Sequence, residues 1–237
     1  MNLRRGAGRP LVIAHRGAAA VAPENTIEAL AAAVAAGADI VEFDVGAGLV
    51  LGHSERERPQ RPVHLDEALA FLREYGICIE LDLKLTGIEA DVATAVRRHG
   101  LEERTFVSST WGRSLRRLGA AAPELPRAIS YPRDRYGASG LQWPRVVTAS
   151  GAATLRAVMP ARVPLLLAAA RANALSLHHT LVSPGVVRVA HARGAAVIAW
   201  TVNDPLLVER VASAGVDAVV SDDPAKALEV LATLNSP

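Results

Sequence analysis

The chain has 237 residues, half of them hydrophobic, enough to build one α/β barrel or two small domains. Its 26 basic and 24 acidic residues leave a formal charge of +2, and aromatics make up only 4%. The arginines are scattered rather than gathered on one face with interleaved aromatics, so no nucleic-acid partner is expected. Cys78 is the single cysteine, which excludes an internal disulfide, and its apolar run from Tyr75 to Leu83 reads as core.

Residues 1–9 read as a flexible N-terminus. The apolar run that follows, Leu11 to Ala14, is too short for a signal peptide. In chain order, strand 11–15 precedes helix 26–36, strand 40–45 precedes helix 65–75, and strand 77–83 precedes helix 89–99. Strand 105–108 then precedes helix 111–121, and strand 126–131 precedes two helices, 144–158 and 163–173. Strand 175–178 precedes helix 184–192, strand 196–202 precedes helix 206–214, and strand 218–221 precedes helix 224–234. The strand runs are continuously apolar, as strands covered on both faces should be. Gly37, Gly76, Gly100, Gly194 and Gly215 follow helical stretches, and Ser183-Pro184 and Asp223-Pro224 offer an N-cap followed by Pro. Eight strands with intervening helices point to a single-domain (β/α)8 TIM barrel over residues 1–237. An open doubly wound sheet is the alternative. Leu165 to Ala170 is bracketed by Pro164 and Arg171, so stable membrane insertion is not expected and a cytoplasmic location is. The sequence leaves homo-oligomerisation open.

In a barrel, chemistry collects where strands end. Glu42 and Asp44 lie two apart on one strand and project to the same side; Glu80 and Asp82 repeat this on the next. Like carboxylates side by side repel unless a cation or shared proton compensates. A divalent cation held by oxygen ligands is the economical explanation, and pairing with Arg or Lys around the mouth is the alternative. His15 and His53 are the candidates for proton transfer near neutral pH. Arg16 suits a bidentate pair with phosphate, and Lys84 adds a second cation. Pro23-Glu24-Asn25-Thr26 opens the first helix with Asn25 or Thr26 as cap, its polar groups facing the mouth. His178 and His179 end the sixth strand and read as structural.

His15-Arg16-Gly17, Pro23-Glu24-Asn25-Thr26 and the run from Gly37 to Val45 resemble the opening signature of the glycerophosphodiester phosphodiesterases. Gly52-His53-Ser54, Leu81-Asp82-Leu83-Lys84, Phe106-Val107-Ser108-Ser109, Trp200-Thr201-Val202-Asn203 and Ser221-Asp222-Asp223-Pro224 resemble its later motifs. The resemblance implies a catalytic pair, His15 and His53. It implies metal ligands Glu42, Asp44 and Asp82 for Mg²⁺ or Ca²⁺. It implies phosphate contacts from Arg16 and Lys84, and a cleft lined by Trp200, with Glu24, Asn25 and Glu80 nearby. The implied partner is a small phosphodiester, hydrolysed to an alcohol and a glycerol phosphate. A lysophospholipid headgroup hydrolase and a non-catalytic phosphate-binding barrel are the alternatives. The chain departs from the pattern in three places. The stretch from Asp44 to His53 is short, only residues 54–63 stand where the family inserts a subdomain, and Asp82 replaces the usual Glu.

Overall fold

The computed structural model describes residues 1, 3–6, 8–53, 61–133 and 145–234, of which 145–152 are described by their backbone alone. In chain order the main elements are β1 (Leu11–Ala14), α1 (Ile27–Ala35), β2 (Ile40–Val45), α2 (Leu65–Arg73), β3 (Cys78–Leu83), α3 (Glu89–His99), β4 (Thr105–Ser109) and α4 (Gly112–Ala121). The second half continues with β5 (Arg127–Tyr131), α5 (Arg145–Ala170), β6 (Ala174–His178), α6 (Pro184–His191), β7 (Ala196–Trp200), α7 (Pro205–Ser213), β8 (Ala218–Ser221) and α8 (Pro224–Thr233). All strands run parallel, each pairs with its sequence neighbour, and β8 returns to β1. That last pairing, Leu11 opposite Ala218 through Ala14 opposite Ser221, excludes the open sheet.

Alternation along the strands sorts the side chains. Val41, Phe43, Leu81, Val107, Leu175, Val197 and Val219 are buried under the helices. Ile13, Ile40, Phe106, Ala128, Ala174, Ile198 and Ala218 fill the inside of the ring. Two and four residues further along, the same inward parity carries His15, Glu42, Asp44, Glu80, Asp82, Ser108, Ser130, Ser176, His178 and Trp200. The interior is therefore apolar at the N-terminal ends of the strands and polar at the C-terminal ends. That switch positions the site.

Helix punctuation follows the chemistry read from sequence. The hydroxyls of Thr26 and Ser183 and the carboxylate of Asp223 accept backbone N–H groups at the starts of α1, α6 and α8. Asp204 does the same for α7, followed by Pro205, a start the sequence reading placed one residue late. Gly100 ends α3 in the left-handed region (φ 66°).

One expectation needs correction. The two helices expected over 144–158 and 163–173 form a single helix, α5, with Pro160 and Pro164 inside it; Pro144 lies outside the described residues. Each proline removes one backbone donor. Met159, Val163, Leu167 and Ala170, spaced at helical intervals and buried, hold the chain helical through both. Taken as one helix, Ala153–Ala170 is long and apolar enough by length and composition to cross a membrane, which division at the prolines had hidden.

The first residues close the floor of the barrel. Residues 2 and 7 of the segment expected to be flexible lie outside the described set. Leu3 is buried within the apolar cluster inside the ring. The Arg5 amide donates to Asp217 Oδ1 (3.1 Å), and Arg4 Nε lies 3.6 Å from the same oxygen.

Candidate active site

The site begins with register. On β2 and β3, Glu42 sits opposite Glu80 and Asp44 opposite Asp82, so four inward carboxyl groups share one quadrant of the ring. Glu42, Asp44 and Asp82 each offer an oxygen, and these oxygens lie within 4.8 Å of one another. Glu80 is buried level with Glu42, and its Oε2 meets no hydrogen-bond partner among the described residues. Burial and the neighbouring Glu42 raise the Glu80 carboxyl well above the usual carboxylate range. Glu80 lies outside the oxygen cluster that the other three acids form.

Cations surround the cluster. Lys84 Nζ lies 2.6 Å from Asp44 Oδ1 and 2.5 Å from Asp82 Oδ2. Burial works against its charge, but Asp82 and Asp44 together hold its pKa above the ordinary lysine value. Arg16 Nε lies 3.2 Å from Asp44 Oδ2. Burial would raise the Asp44 pKa; Lys84 and Arg16 reverse that and lower it. Both compensations weighed from sequence are thus in place: pairing with Lys and Arg, and an oxygen cluster fit for a hard cation. Burial and the adjacent Asp44 charge push the Glu42 carboxyl up to about 7, so the two cations leave Glu42 under-compensated. The donor set and this residual negative demand fit a divalent ion bound by Glu42, Asp44 and Asp82.

A stability prediction follows from Glu42. Its carboxyl releases a proton near 4.5 when unfolded and near 7 when folded and metal-free. Raising the pH through that window therefore costs folding stability. In EDTA the melting temperature should fall between pH 4.5 and 7, and Glu42→Gln should flatten that slope. Equal slopes in both proteins would contradict it.

The loop after β1 builds the second layer. Arg16 and Asn25 both adopt positive φ, 51° and 59°. Between them Gly17 (φ 80°) packs so closely on Ala29 that a Cβ would lie 2.5 Å from its carbonyl carbon. The tight turn aims the Arg16 amide at Glu42 Oε2 (2.7 Å). Asn25 clamps Asp44 twice, accepting from its amide (2.9 Å) and donating to Oδ2 (3.2 Å). Glu24 holds the Arg16 guanidinium through both carboxylate oxygens, at 2.9 and 2.8 Å. Glu24 and Asn25, expected along the cleft, thus orient Arg16 and Asp44.

His15 follows β1 at the mouth. Its Nδ1 is 2.6 Å from Asp222 Oδ1. A carboxylate can only accept, so Nδ1 carries the proton and Nε2 is left for chemistry. Burial lowers the imidazole pKa, but the Asp222 hydrogen bond and the Glu42 charge more than offset this, and the net direction is up. Asn203 donates to Asp222 Oδ2 and accepts from the Asp222 amide (2.9 Å), fixing the carboxylate. Asp222 and Asn203 belong to the C-terminal motifs, but sequence reading gave them no role. Ring closure is the signal that finds them, since it brings the end of β8 beside β1. Asp222→Asn should lower the His15 pKa, read by NMR titration of its imidazole; an unchanged value would remove Asp222 as its electrostatic partner.

His53 arrives on the short hairpin after β2. A helical turn at Ala47–Leu49 reverses the chain, and Val45 bridges Leu51 antiparallel. Gly52 then donates to the Asp44 carbonyl (3.1 Å). His53 follows Gly52 at the end of this short hairpin and is exposed. Residues 54–60, including Ser54 of the motif, lie outside the described residues. Ser108 donates to Asp82 Oδ1 (3.0 Å), a further support the sequence reading missed.

Trp200 lies across the ring from the acids, opposite His178 in register, with the two rings edge to face at 5.2 Å. Its indole Nε1 is enclosed and meets no partner among the described residues. His178 Nδ1 lies 2.8 Å from the Thr180 hydroxyl and 3.4 Å from the Thr180 amide. Burial and Arg210 lower the His178 pKa. This wall is aromatic, in contrast to the charged wall opposite.

A profile of the Glycerophosphoryl diester phosphodiesterase family matches residues 15–47 and 58–226. A glycerophosphodiester phosphodiesterase from Caldanaerobacter subterraneus subsp. tengcongensis is 27% identical, over 91% of this chain and 95% of that protein. A crystal structure of a glycerophosphodiester phosphodiesterase from Parabacteroides distasonis superposes with a TM-score of 0.75 at 21% identity, over 98% of this chain and all of that one. An Oleispira antarctica phosphodiesterase in complex with the product sn-glycerol-3-phosphate gives 0.70 at 24% identity, over 94% and 97%. With the profile covering most of the barrel, though not the stretch 48–57 that holds His53, the chain belongs to the glycerophosphoryl diester phosphodiesterase family.

Proposed function

We propose that this chain is a divalent-metal-dependent phosphodiesterase that hydrolyses glycerophosphodiesters to an alcohol and a glycerol phosphate by histidine acid/base catalysis. The observation that carries this is the gathering of Glu42, Asp44 and Asp82 within 4.8 Å, at the mouth that also holds His15. A cation held there, Mg²⁺ or Ca²⁺, would draw in phosphoryl oxygens and offset their charge.

The chain's own groups do the rest. Arg16 and Lys84 border the cluster, and either can turn a donor toward a phosphoryl oxygen as charge develops there. His15, with Nδ1–H fixed on Asp222 and its pKa raised, suits the acid that protonates the departing alkoxide through Nε2. His53, exposed on the hairpin beside Asp44, suits the base. It removes a proton from the attacking hydroxyl, either water or a hydroxyl of the substrate's glycerol. Trp200 and His178 form the opposite wall of the cleft.

The test is a turnover assay on a panel of glycerophosphodiesters with Mg²⁺, Ca²⁺, Mn²⁺ or EDTA. Metal-dependent release of glycerol phosphate supports the proposal. Ligand binding without product under every metal would make the barrel a phosphate binder, and faster turnover of lysophosphatidylcholine than of glycerophosphocholine would move the substrate to lysophospholipids.

A further inference from the structure

Outside the mouth, a cleft of about 540 Å³ opens between α5, the turn after β6 and the start of α6. Its lining includes Arg156, Pro160, Thr180, Ser183 and Arg210. Among the described residues no acidic side chain lines it. The wider sequence agrees, since from Arg135 to Asn203 there is no Asp or Glu, while seven arginines occur.

Arg210 reaches in from α7. Its Nη2 donates to the His179 carbonyl (3.0 Å) and lies 3.2 Å from His179 Nδ1. Its Nε is enclosed and meets no acceptor among the described residues. A buried guanidinium donor without an acceptor carries a desolvation cost. Burial first, and the charge of Arg156 second, lower the Arg210 pKa. Two guanidinium groups therefore share one wall, and among the described residues no carboxylate pairs with either. The Ser183 hydroxyl accepts from the Val186 amide (3.3 Å) and keeps its own proton to donate. Two positive forks, one unused N–H and a hydroxyl in a cleft of this size match an oxyanion with several acceptor oxygens.

We propose that this cleft is a second anion site, distinct from the catalytic mouth, that takes a phosphate group, with Arg156 and Arg210 as its principal ligands. The anion relieves the repulsion between the arginines and supplies the acceptor that Arg210 Nε lacks. It also braces the turn after β6, because Arg210 holds His179, whose ring packs tilted against His178 with centroids 4.4 Å apart. The phosphate can be free or belong to a lipid headgroup, since Val158 and Leu165 are exposed on the same helix as Arg156.

Calorimetry with inorganic phosphate, in excess EDTA, tests the free source. Co-sedimentation with phosphatidylcholine vesicles, with and without phosphatidic acid, tests the lipid source. The wild type should bind at least one probe. Arg156→Gln should weaken that binding at least ~10-fold, the worth of a charge-assisted hydrogen bond, and Arg156→Gln/Arg210→Gln should abolish it. Among the described residues Arg156 meets no hydrogen-bond or ion-pair partner, so the single variant reads the site even where the double variant is destabilised. Binding of phosphate alone identifies free phosphate as the ligand; binding only to acidic vesicles identifies the headgroup. A wild type that binds neither, or an Arg156→Gln variant that binds as the wild type does, overturns the proposal. Neither outcome bears on catalysis at the mouth.

Discussion

Replacing His15 by alanine should lower kcat at least ~100-fold, the usual worth of a positioned general acid or base. Three features hold the imidazole in place. Asp222 fixes the tautomer of His15, Asn203 fixes Asp222, and the chain's return from β8 to β1 brings all three together. Alanine removes the proton donor and leaves that scaffold intact, so the loss should fall on kcat rather than KM. His53→Ala should show a loss of similar size, with the opposite limb of the pH–rate profile affected. The measurement is steady-state turnover of a glycerophosphodiester across pH, with melting temperature as the control for folding. Near-normal kcat in either variant would remove that histidine from the mechanism.

Asp44→Asn should reduce metal-dependent turnover roughly 100-fold or more, because a bound cation contributes several kcal/mol of charge stabilisation in the transition state. Asp44 is the pivot of the cluster. It contributes an oxygen to the metal set, pairs with both Lys84 and Arg16, and is clamped by Asn25. The amide keeps the shape and the Asn25 contact to the backbone, but loses the charge that holds the two cations and draws in a third. Titrating the variant with Mg²⁺ or Ca²⁺ should show saturation shifted to much higher concentration. Unchanged metal dependence would place the ion elsewhere.

Much of this arrangement was legible in the sequence because parallel strands buried on both faces write themselves as short apolar runs. Glu42 and Asp44, two apart in such a run, had to face the same side, and the ring's interior is that side. What the sequence could not provide was register and closure. Glu42 lies opposite Glu80 because β2 and β3 pair without offset, and no local pattern encodes that alignment. His15 and Asp222 are separated by nearly the whole chain and meet only when the ring shuts. A loop at a helix start gives no hint of which neighbour it will grip, so the hold of Glu24 on Arg16 and of Asn25 on Asp44 emerges only from the fold. The division of α5 at Pro160 and Pro164 followed the ordinary rule for prolines, which burial of Met159, Val163 and Leu167 overrode.

The floor of the barrel bears on how the ring assembles. Leu3 joins a cluster whose members come from β1, β2, β4, β5, β6, β7 and β8, and the segment beside it is fastened to Asp217 near the far end of the chain. Such long-separation contacts form late, after loop-closure entropy has been overcome. Leu3 can seat only once the last strand has met the first. A fluorescent label near the N-terminus would thus act as a clock for completion of the circle, its signal lagging behind helix formation during refolding.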